Sequence, residues 1–161
     1  MVRLSPSERR QQGDAAEQKF MGWLDRCVLP YMYVEQVPLT VPKGLKGEIK
    51  RPDFLVGIPT IGTIAIDVKA KTVYDNAIII DAYEHRTFQN FETFFNITVW
   101  YVCFPPGDPV TCHLFMNREL GRQPTIERKG AASIAMPLRD TVTADPRREF
   151  MAVLLSAISL R

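Results

Sequence analysis

Two short runs near the middle of the chain are rich in hydrophobic residues, and each contains one acidic residue. The first run is Pro52 to Val56 and the second is Ile64 to Ala70. Short apolar runs of this kind are typical of β-strands, and the glycine and proline residues between them favour a tight turn. The pattern therefore predicts a β-hairpin.

The second strand of this hairpin carries charge on one face. Because side chains alternate along a strand, Asp67 and Lys69 share a face while Ile66 and Val68 share the other. The two charged side chains are separated by about 7 Å along the strand. If the neighbouring strand brings Asp53 alongside, two carboxylates and a lysine converge. Mg²⁺ suits such a place, because it is a hard ion that takes oxygen ligands.

Helical periodicity and capping signals predict three helices elsewhere. They run from Ser5 to about Arg26, from Asp81 to Asn96 and from Asp145 to Leu160. In the second helix the spacing predicts a core stripe made of Phe88, Phe91 and Phe95.

Further β-patterns flank these helices. Strands are predicted at Tyr31–Leu39, Ile97–Phe104 and Thr111–Met116, with a short strand or buried connection at Ala77–Ile80. The segment from Thr40 to Lys50 has the composition of an exposed, flexible loop. Residues 117–144 are weakly patterned and basic, and we interpret them as a mobile excursion.

Composition limits the class of protein. With 161 residues, 46% hydrophobic and 24% charged, the chain has room for one domain with a proper core, spanning residues 1–161. A net charge of +2 is compatible with a nucleic-acid partner but does not by itself indicate one. Three cysteines without a CxxC pair fit neither a zinc site nor a disulfide scaffold. The polar N-terminus and the lack of a long apolar run lead us to expect a cytoplasmic protein.

The hairpin carries a known motif. Pro52-Asp53, followed on the next strand by Asp67-Val68-Lys69, resembles the motif of the PD-(D/E)xK nuclease superfamily. Two other acid-x-Lys tripeptides, Glu17-Gln18-Lys19 and Glu48-Ile49-Lys50, lack this context of a strand that follows Pro-Asp.

The resemblance implies an α/β protein with the restriction-endonuclease-like αβββαβ core. In that fold a central mixed sheet is flanked by helices, here over about residues 5–104. Residues 105–161 would be an extension that ends in a C-terminal helix.

The resemblance also implies an activity, which is metal-dependent hydrolysis of phosphodiester bonds in nucleic acid, DNA rather than RNA. Mg²⁺ or Mn²⁺ would be held by Asp53, Asp67, the main-chain carbonyl of Val68 and Glu17 of the first helix, and would activate a water molecule. Lys69 would orient that water or stabilise charge on the phosphate. Glu17 has a simpler interpretation as an exposed helix glutamate.

Basic and amide side chains near the motif are candidates for contact with the nucleic-acid backbone. They are Lys43, Lys46, Lys50, Arg51, Lys71, Arg86 and Gln89. A solvated loop and an ordinary helix face explain them equally simply. Neither His85 nor His113 has a partner motif, so neither is assigned a role.

Two other functions stay open at this point. The chain could be a catalytically silent nucleic-acid-binding or assembly subunit with the nuclease fold. It could instead be an unrelated α/β protein that binds a small acidic ligand through residues 43–51. Because the sequence shows no helix-turn-helix or zinc module, substrate selection would rest on shape, on a homodimer or on a targeting partner protein.

Overall fold

The computed structural model describes residues 5–35 and 41–159, which form helices and strands in mixed order. The helices are α1 (Pro6–Arg26), α2 (Ala82–Phe95), α3 (Asn117–Leu120) and α4 (Phe150–Ser159). The strands are β1 (Tyr31–Tyr33), β2 (Phe54–Ile58), β3 (Gly62–Ala70), β4 (Val73–Tyr74), β5 (Ala77–Asp81), β6 (Val99–Phe104), β7 (Cys112–Met116), β8 (Thr125–Arg128), β9 (Ala131–Pro137) and β10 (Val142–Ala144).

A six-stranded mixed sheet forms the centre of the molecule, in the order β1-β2-β3-β6-β7-β10. The predicted hairpin is confirmed, because β2 and β3 pair antiparallel with Phe54 opposite Ile66. Strand β3 pairs parallel with β6, and α2 lies in the crossover between them. Parallel neighbours need such a long connection, and helices usually provide it. The expected α/β class with a central mixed sheet is confirmed.

Helices α1 and α4 cover one face of the central sheet. Ser5 caps α1 by accepting from the amide of Glu8, whose carboxylate accepts from the Ser5 amide in return, so the predicted capping box is present. Phe20 is fully buried and packs edge-to-face on Trp23, Phe54 and Phe150, which joins both helices to β2.

Helix α2 and a second sheet cover the opposite face. Asp81 caps α2 by accepting from the Tyr83 amide, and Asn96 ends the helix in the left-handed conformation with φ of 53°. Phe88 and Phe91 are buried as predicted, but Phe95 is 56% exposed. The prediction for Phe95 is wrong, because Phe95 is the last residue of the helix and its ring is exposed to solvent.

The second sheet is the main departure from the predicted architecture. It has four strands in the order β4-β5-β9-β8, and two of them come from residues 117–144, for which the sequence predicted no structure. Strands β7 and β10 also extend the central sheet beyond the predicted core boundary at residue 104. Residues 117–144, which the sequence left without a predicted structure, thus contain regular strands, because β9 finds its partner in the distant β5.

Two predicted element boundaries also move. The first strand is observed only over Tyr31–Tyr33, and residues 36–39 of the prediction lie outside the described residues. The last helix begins at Phe150 rather than at Asp145, because the intervening residues form a turn. Main-chain carbonyl groups of this turn accept hydrogen bonds from side chains of α1. In that turn, Trp23 Nε1 donates to the Arg148 carbonyl over 2.7 Å. Across the described parts of the chain, no helix is long and apolar enough to cross a membrane.

Replacing Phe20 by alanine tests how much the α1–α4 layer depends on this aromatic cluster. We expect Phe20→Ala to lower the free energy of unfolding by about 3–5 kcal/mol, since it removes a large, fully buried side chain. Phe94→Ala is the matched control, because Phe94 is 62% exposed, and it should change the value by less than about 0.5 kcal/mol. Urea denaturation followed by circular dichroism measures both, and equal losses would contradict the assignment.

Candidate active site

A buried aspartate and three charged partners form a closed ion-pair group, which we call the charge quartet: Asp67, Lys69, Lys50 and Glu84. Asp67 has no solvent exposure. Its Oδ2 lies 2.5 Å from Lys69 Nζ and its Oδ1 lies 2.9 Å from Lys50 Nζ. Glu84 Oε2 lies 2.7 Å from Lys50 Nζ and 3.2 Å from Lys69 Nζ. Each carboxylate thus contacts both ammonium groups.

The quartet draws on three separate parts of the chain. Strand β3 places Asp67 and Lys69 on the face that packs toward α2, while Ile66 and Val68 enter the core on the α1 side, as the alternation predicts. Lys50 comes from the segment before β2, and Glu84 comes from the first turn of α2. The structure therefore confirms the predicted shared face of Asp67 and Lys69.

Sequence reasoning missed Glu84, although a signal was present. Glu84 lies four residues before Phe88 and seven before Phe91, so it occupies the same helical stripe as the two buried rings. An acid on the core stripe of a helix needs a buried cationic partner. Lys50 was assigned to nucleic-acid contact, and its tripeptide was set aside as lacking context, yet its ammonium binds Asp67.

Charge neutralisation decides the protonation of Asp67. Burial favours the neutral acid, but the ammonium groups of Lys69 and Lys50 outweigh it and lower the pKa of Asp67 below its usual value. For Lys69, burial favours the neutral amine, but Asp67 and Glu84 more than offset this and raise its pKa. Both groups are therefore ionised at neutral pH. Oδ2 of Asp67 has the Lys69 ammonium beside it but no aligned hydrogen bond.

Asp53 lies next to this group at the start of β2. Because Phe54 pairs with Ile66, extending the register by one residue places Asp53 opposite Asp67. Its Oδ2 accepts a hydrogen bond of 2.7 Å from the Val68 amide. Burial, followed by the charge of Asp67, raises the pKa of Asp53 to about 7, against the opposing effects of the Val68 amide and Lys69. The two carboxylates repel each other.

Glu17, the predicted third acid, belongs to α1, which covers the opposite face of the central sheet, yet it is close enough for its charge to act on Asp53. Its charge contributes to the raised pKa of Asp53, and its Oε2 accepts from the Tyr33 hydroxyl over 3.0 Å. The structure thus pairs Glu17 with a tyrosine. In the described ranges, no three histidine, cysteine or acidic side chains are grouped so that they could hold a metal ion as they stand.

The oxygen donors at Asp53 and Asp67 nevertheless suit a hard divalent cation. The charge of Asp67 raises the pKa of Asp53 across adjacent strands, and Asp67 Oδ2 has no aligned hydrogen bond. Mg²⁺ commonly uses only one or two protein carboxylates and completes its shell with water and phosphate oxygens. A pair of acids is therefore a sufficient protein contribution.

A cleft of about 420 Å³ opens beside the quartet. Its walls are Val41, Ile49, Lys50, Arg51, Asp81, Tyr83, Glu84 and Thr87. The segment predicted as a flexible loop contains a 3₁₀ turn at Lys43–Leu45 and is held against α2. Tyr83 donates through its hydroxyl to the Gly47 carbonyl, and Asn90 donates to the Glu48 carbonyl over 2.7 Å.

The remaining candidates for nucleic-acid contact lie at different places. Lys43 and Lys46 are exposed on the segment that forms one wall of the cleft, and Arg51 lines the cleft itself. The Arg86 guanidinium lies 5.3 Å from the centre of the Tyr83 ring, at the same wall.

Lys71 and Gln89 are not among the side chains that line the cleft. Lys71 is half-buried just after β3, and Gln89 is exposed on α2.

Both histidines have structural partners. His85 Nδ1 lies 2.9 Å from Asn117 Oδ1, and Asn117 Nδ2 donates to Glu92 over 3.0 Å, which ties α2 to the start of α3. His113 lies beside the Thr143 hydroxyl on the neighbouring strand β10, and burial lowers its pKa.

Comparison with known proteins supports the fold. No protein-family model and no curated protein matches the chain. Among solved structures, the chain is similar to Hjc, a Holliday junction resolvase from the archaeal hyperthermophile Archaeoglobus fulgidus. The TM-score is 0.52 at 16% identity, over 76% of this chain and 88% of that one. The chain therefore has the restriction-endonuclease-like fold, and the fold that its motif implied is confirmed.

The raised pKa of Asp53 predicts a pH-dependent stability in metal-free protein. Since its pKa rises from 3.8 to about 7 on folding, the folded chain retains a proton between these values that the unfolded chain releases. Stability therefore falls as pH rises through this window. We expect Asp53→Asn to reduce the difference in unfolding free energy between pH 5 and pH 8 by on the order of 2 kcal/mol.

Urea denaturation in EDTA at both pH values measures this difference. Glu127→Gln, an exposed position on β8, is the control and should behave as wild type. A pH difference in Asp53→Asn equal to that of wild type would contradict the assigned environment of Asp53.

Proposed function

We propose that the chain is a metal-dependent nuclease that hydrolyses phosphodiester bonds, with DNA as its substrate. The single observation that carries the proposal is the placement of Asp53, Asp67 and Lys69 on one buried face of the β2–β3 hairpin. A fold of this class does not itself require two opposed carboxylates and a lysine in its interior. Buried charge is costly, and perturbed groups cluster at functional sites.

Asp53 and Asp67 would hold Mg²⁺ or Mn²⁺, with the main-chain carbonyl of Val68 as a further ligand. The ion would polarise a phosphate oxygen and lower the pKa of a water molecule. Lys69 remains charged, because Asp67 and Glu84 stabilise its ammonium. It would stabilise the negative charge that develops on the phosphate and orient the attacking water.

Glu17 differs from the other proposed ligands in having a tyrosine partner. Its carboxylate accepts from Tyr33, so it would join the ligands only if that hydrogen bond opens. It would otherwise act at a distance, through its negative charge near Asp53.

The cleft between residues 41–51 and α2 would receive the nucleic-acid backbone. Lys43 and Lys46 at its wall and Arg51 in its lining provide positive charge where a phosphate would pass. Lys71, Arg86 and Gln89 would contact flanking nucleotides. Because Hjc from Archaeoglobus fulgidus is a Holliday junction resolvase, branched DNA is the first substrate to test. A second copy of the chain or a targeting protein would then select the site.

One observation favours a second candidate, a catalytically silent subunit that binds nucleic acid. Both oxygens of Asp67 already face lysine ammonium groups, which neutralise the carboxylate without a metal ion. A chain that had lost its ion could keep its fold in this way. The two candidates differ in whether the protein cuts.

Cleavage assays on a mixed panel of substrates separate these candidates. The panel contains a four-way junction, linear duplex, single-stranded DNA and RNA, each with Mg²⁺, Mn²⁺ or EDTA. We expect wild type to cut DNA only with a metal ion, and Asp67→Asn and Lys69→Met each to lower the rate at least about a hundredfold, the scale of a lost electrostatic contact in a transition state.

Lys129→Met in the β8–β9 turn is the control and should cut at the wild-type rate. Circular dichroism confirms that each variant is folded, since breaking a buried ion pair can cost about 3–5 kcal/mol. Binding of DNA without cleavage under every condition would establish the silent subunit instead. Cleavage that persists in both variants would place the catalytic site elsewhere.

A further inference from the structure

Lys50 lines the cleft, and its ammonium group occupies one oxygen of the buried Asp67 carboxylate. Its ammonium donates to Asp67 Oδ1 over 2.9 Å and to Glu84 Oε2 over 2.7 Å, and it lies 4.8 Å from the centre of the Phe88 ring. Two carboxylates and an aromatic face therefore attract one cation from three directions. Lys50 is not part of the acid-x-Lys motif that contains Asp67.

The quartet has no net charge, and this limits what can be added to it. The two positive charges of the ammonium groups balance the two negative charges of the carboxylates, and one of these carboxylates, Asp67, is fully buried. A divalent ion held by Asp67 and Asp53 with both lysines in place would leave a buried excess of one positive charge, even with Asp53 ionised. In a poorly solvated environment that excess is strongly unfavourable. One lysine must therefore move away.

Lys50 is the lysine that has room to move. Its side chain is 31% exposed and lines the cleft, whereas that of Lys69 is 17% exposed and projects from the central strand β3. The backbone of the Lys50 segment is tied to α2 at Gly47 and Glu48, so rotation of the side chain into the cleft requires no movement of the segment.

We propose that Lys50 is an internal competitor for the metal ion. Its ammonium takes the place of the cation at Asp67 and must leave before Mg²⁺ or Mn²⁺ binds. This inference rests on the proposed metal site and adds to it a residue that sets the metal affinity. Lys50 keeps Asp67 neutralised in metal-free protein, and its release into the cleft brings a positive charge to where a phosphate would lie.

Calorimetric titration with Mn²⁺, in the absence of nucleic acid, tests this competition directly. Lys50→Met removes the charge and keeps the length of the side chain, so it should bind Mn²⁺ about tenfold more tightly than wild type, the scale seen when neighbours of metal ligands change. Lys50→Arg keeps a cation and should remain close to wild type. Lys129→Met, in the distant β8–β9 turn, should be unchanged.

Two results of the titration would overturn the inference in different ways. If wild type binds Mn²⁺ and Lys50→Met binds it equally or less tightly, Lys50 is not a competitor, and the proposed nuclease site stands. If neither protein binds Mn²⁺, the metal site itself is absent and the inference falls with it.

A second measurement uses wild-type protein and does not depend on the stability of Lys50→Met. The ¹³Cε resonance of Lys50, assigned by its loss in Lys50→Arg, should shift toward that of an exposed lysine during titration with Mg²⁺. The Lys69 resonance should keep the features of a paired lysine. A Lys50 resonance that stays unchanged while Mg²⁺ binds would refute displacement.

Discussion

The full burial of the Asp67 carboxylate is the constraint on which the rest of the site depends. An ionised acid in the interior is tolerated only when cations and hydrogen-bond donors surround it. Lys69 on the same strand supplies one cation, and Lys50 supplies the second from a different segment. Glu84 then balances the lysines. The buried charge of Asp67 thus ties β3, the segment before β2 and helix α2 to one another.

Local periodicity explains why so much of the hairpin could be predicted. The face shared by Asp67 and Lys69 follows from alternation along a single strand, and the pairing of β2 with β3 follows from a short connection. Capping residues likewise fix the start of α1 at Ser5 and of α2 at Asp81. These features need information from only a few neighbouring residues.

The features that could not be predicted depend on distant partners. Lys50 reaches Asp67 only because residues 41–51 fold against α2, which no short stretch of sequence specifies. Strand β9 lacks a strong pattern of its own and is defined by pairing with β5, more than fifty residues earlier in the chain. Phe95 has the spacing of a core residue, but the helix ends at Asn96 before the ring can reach the sheet. Tertiary context decides each of these.

The parallel pairing of β3 with β6 has a consequence for how the protein folds. The β2–β3 hairpin can form early, because its strands are close in sequence, whereas β6 must wait until the crossover through α2 is complete. Glu84 belongs to that crossover. Until that crossover is complete, Asp67 and Lys69 lack the helix that shields them from water in the native protein. The charge quartet is therefore complete only when α2 has docked on the sheet. A partly folded chain would contain Asp67 and Lys69 without Glu84 beside them.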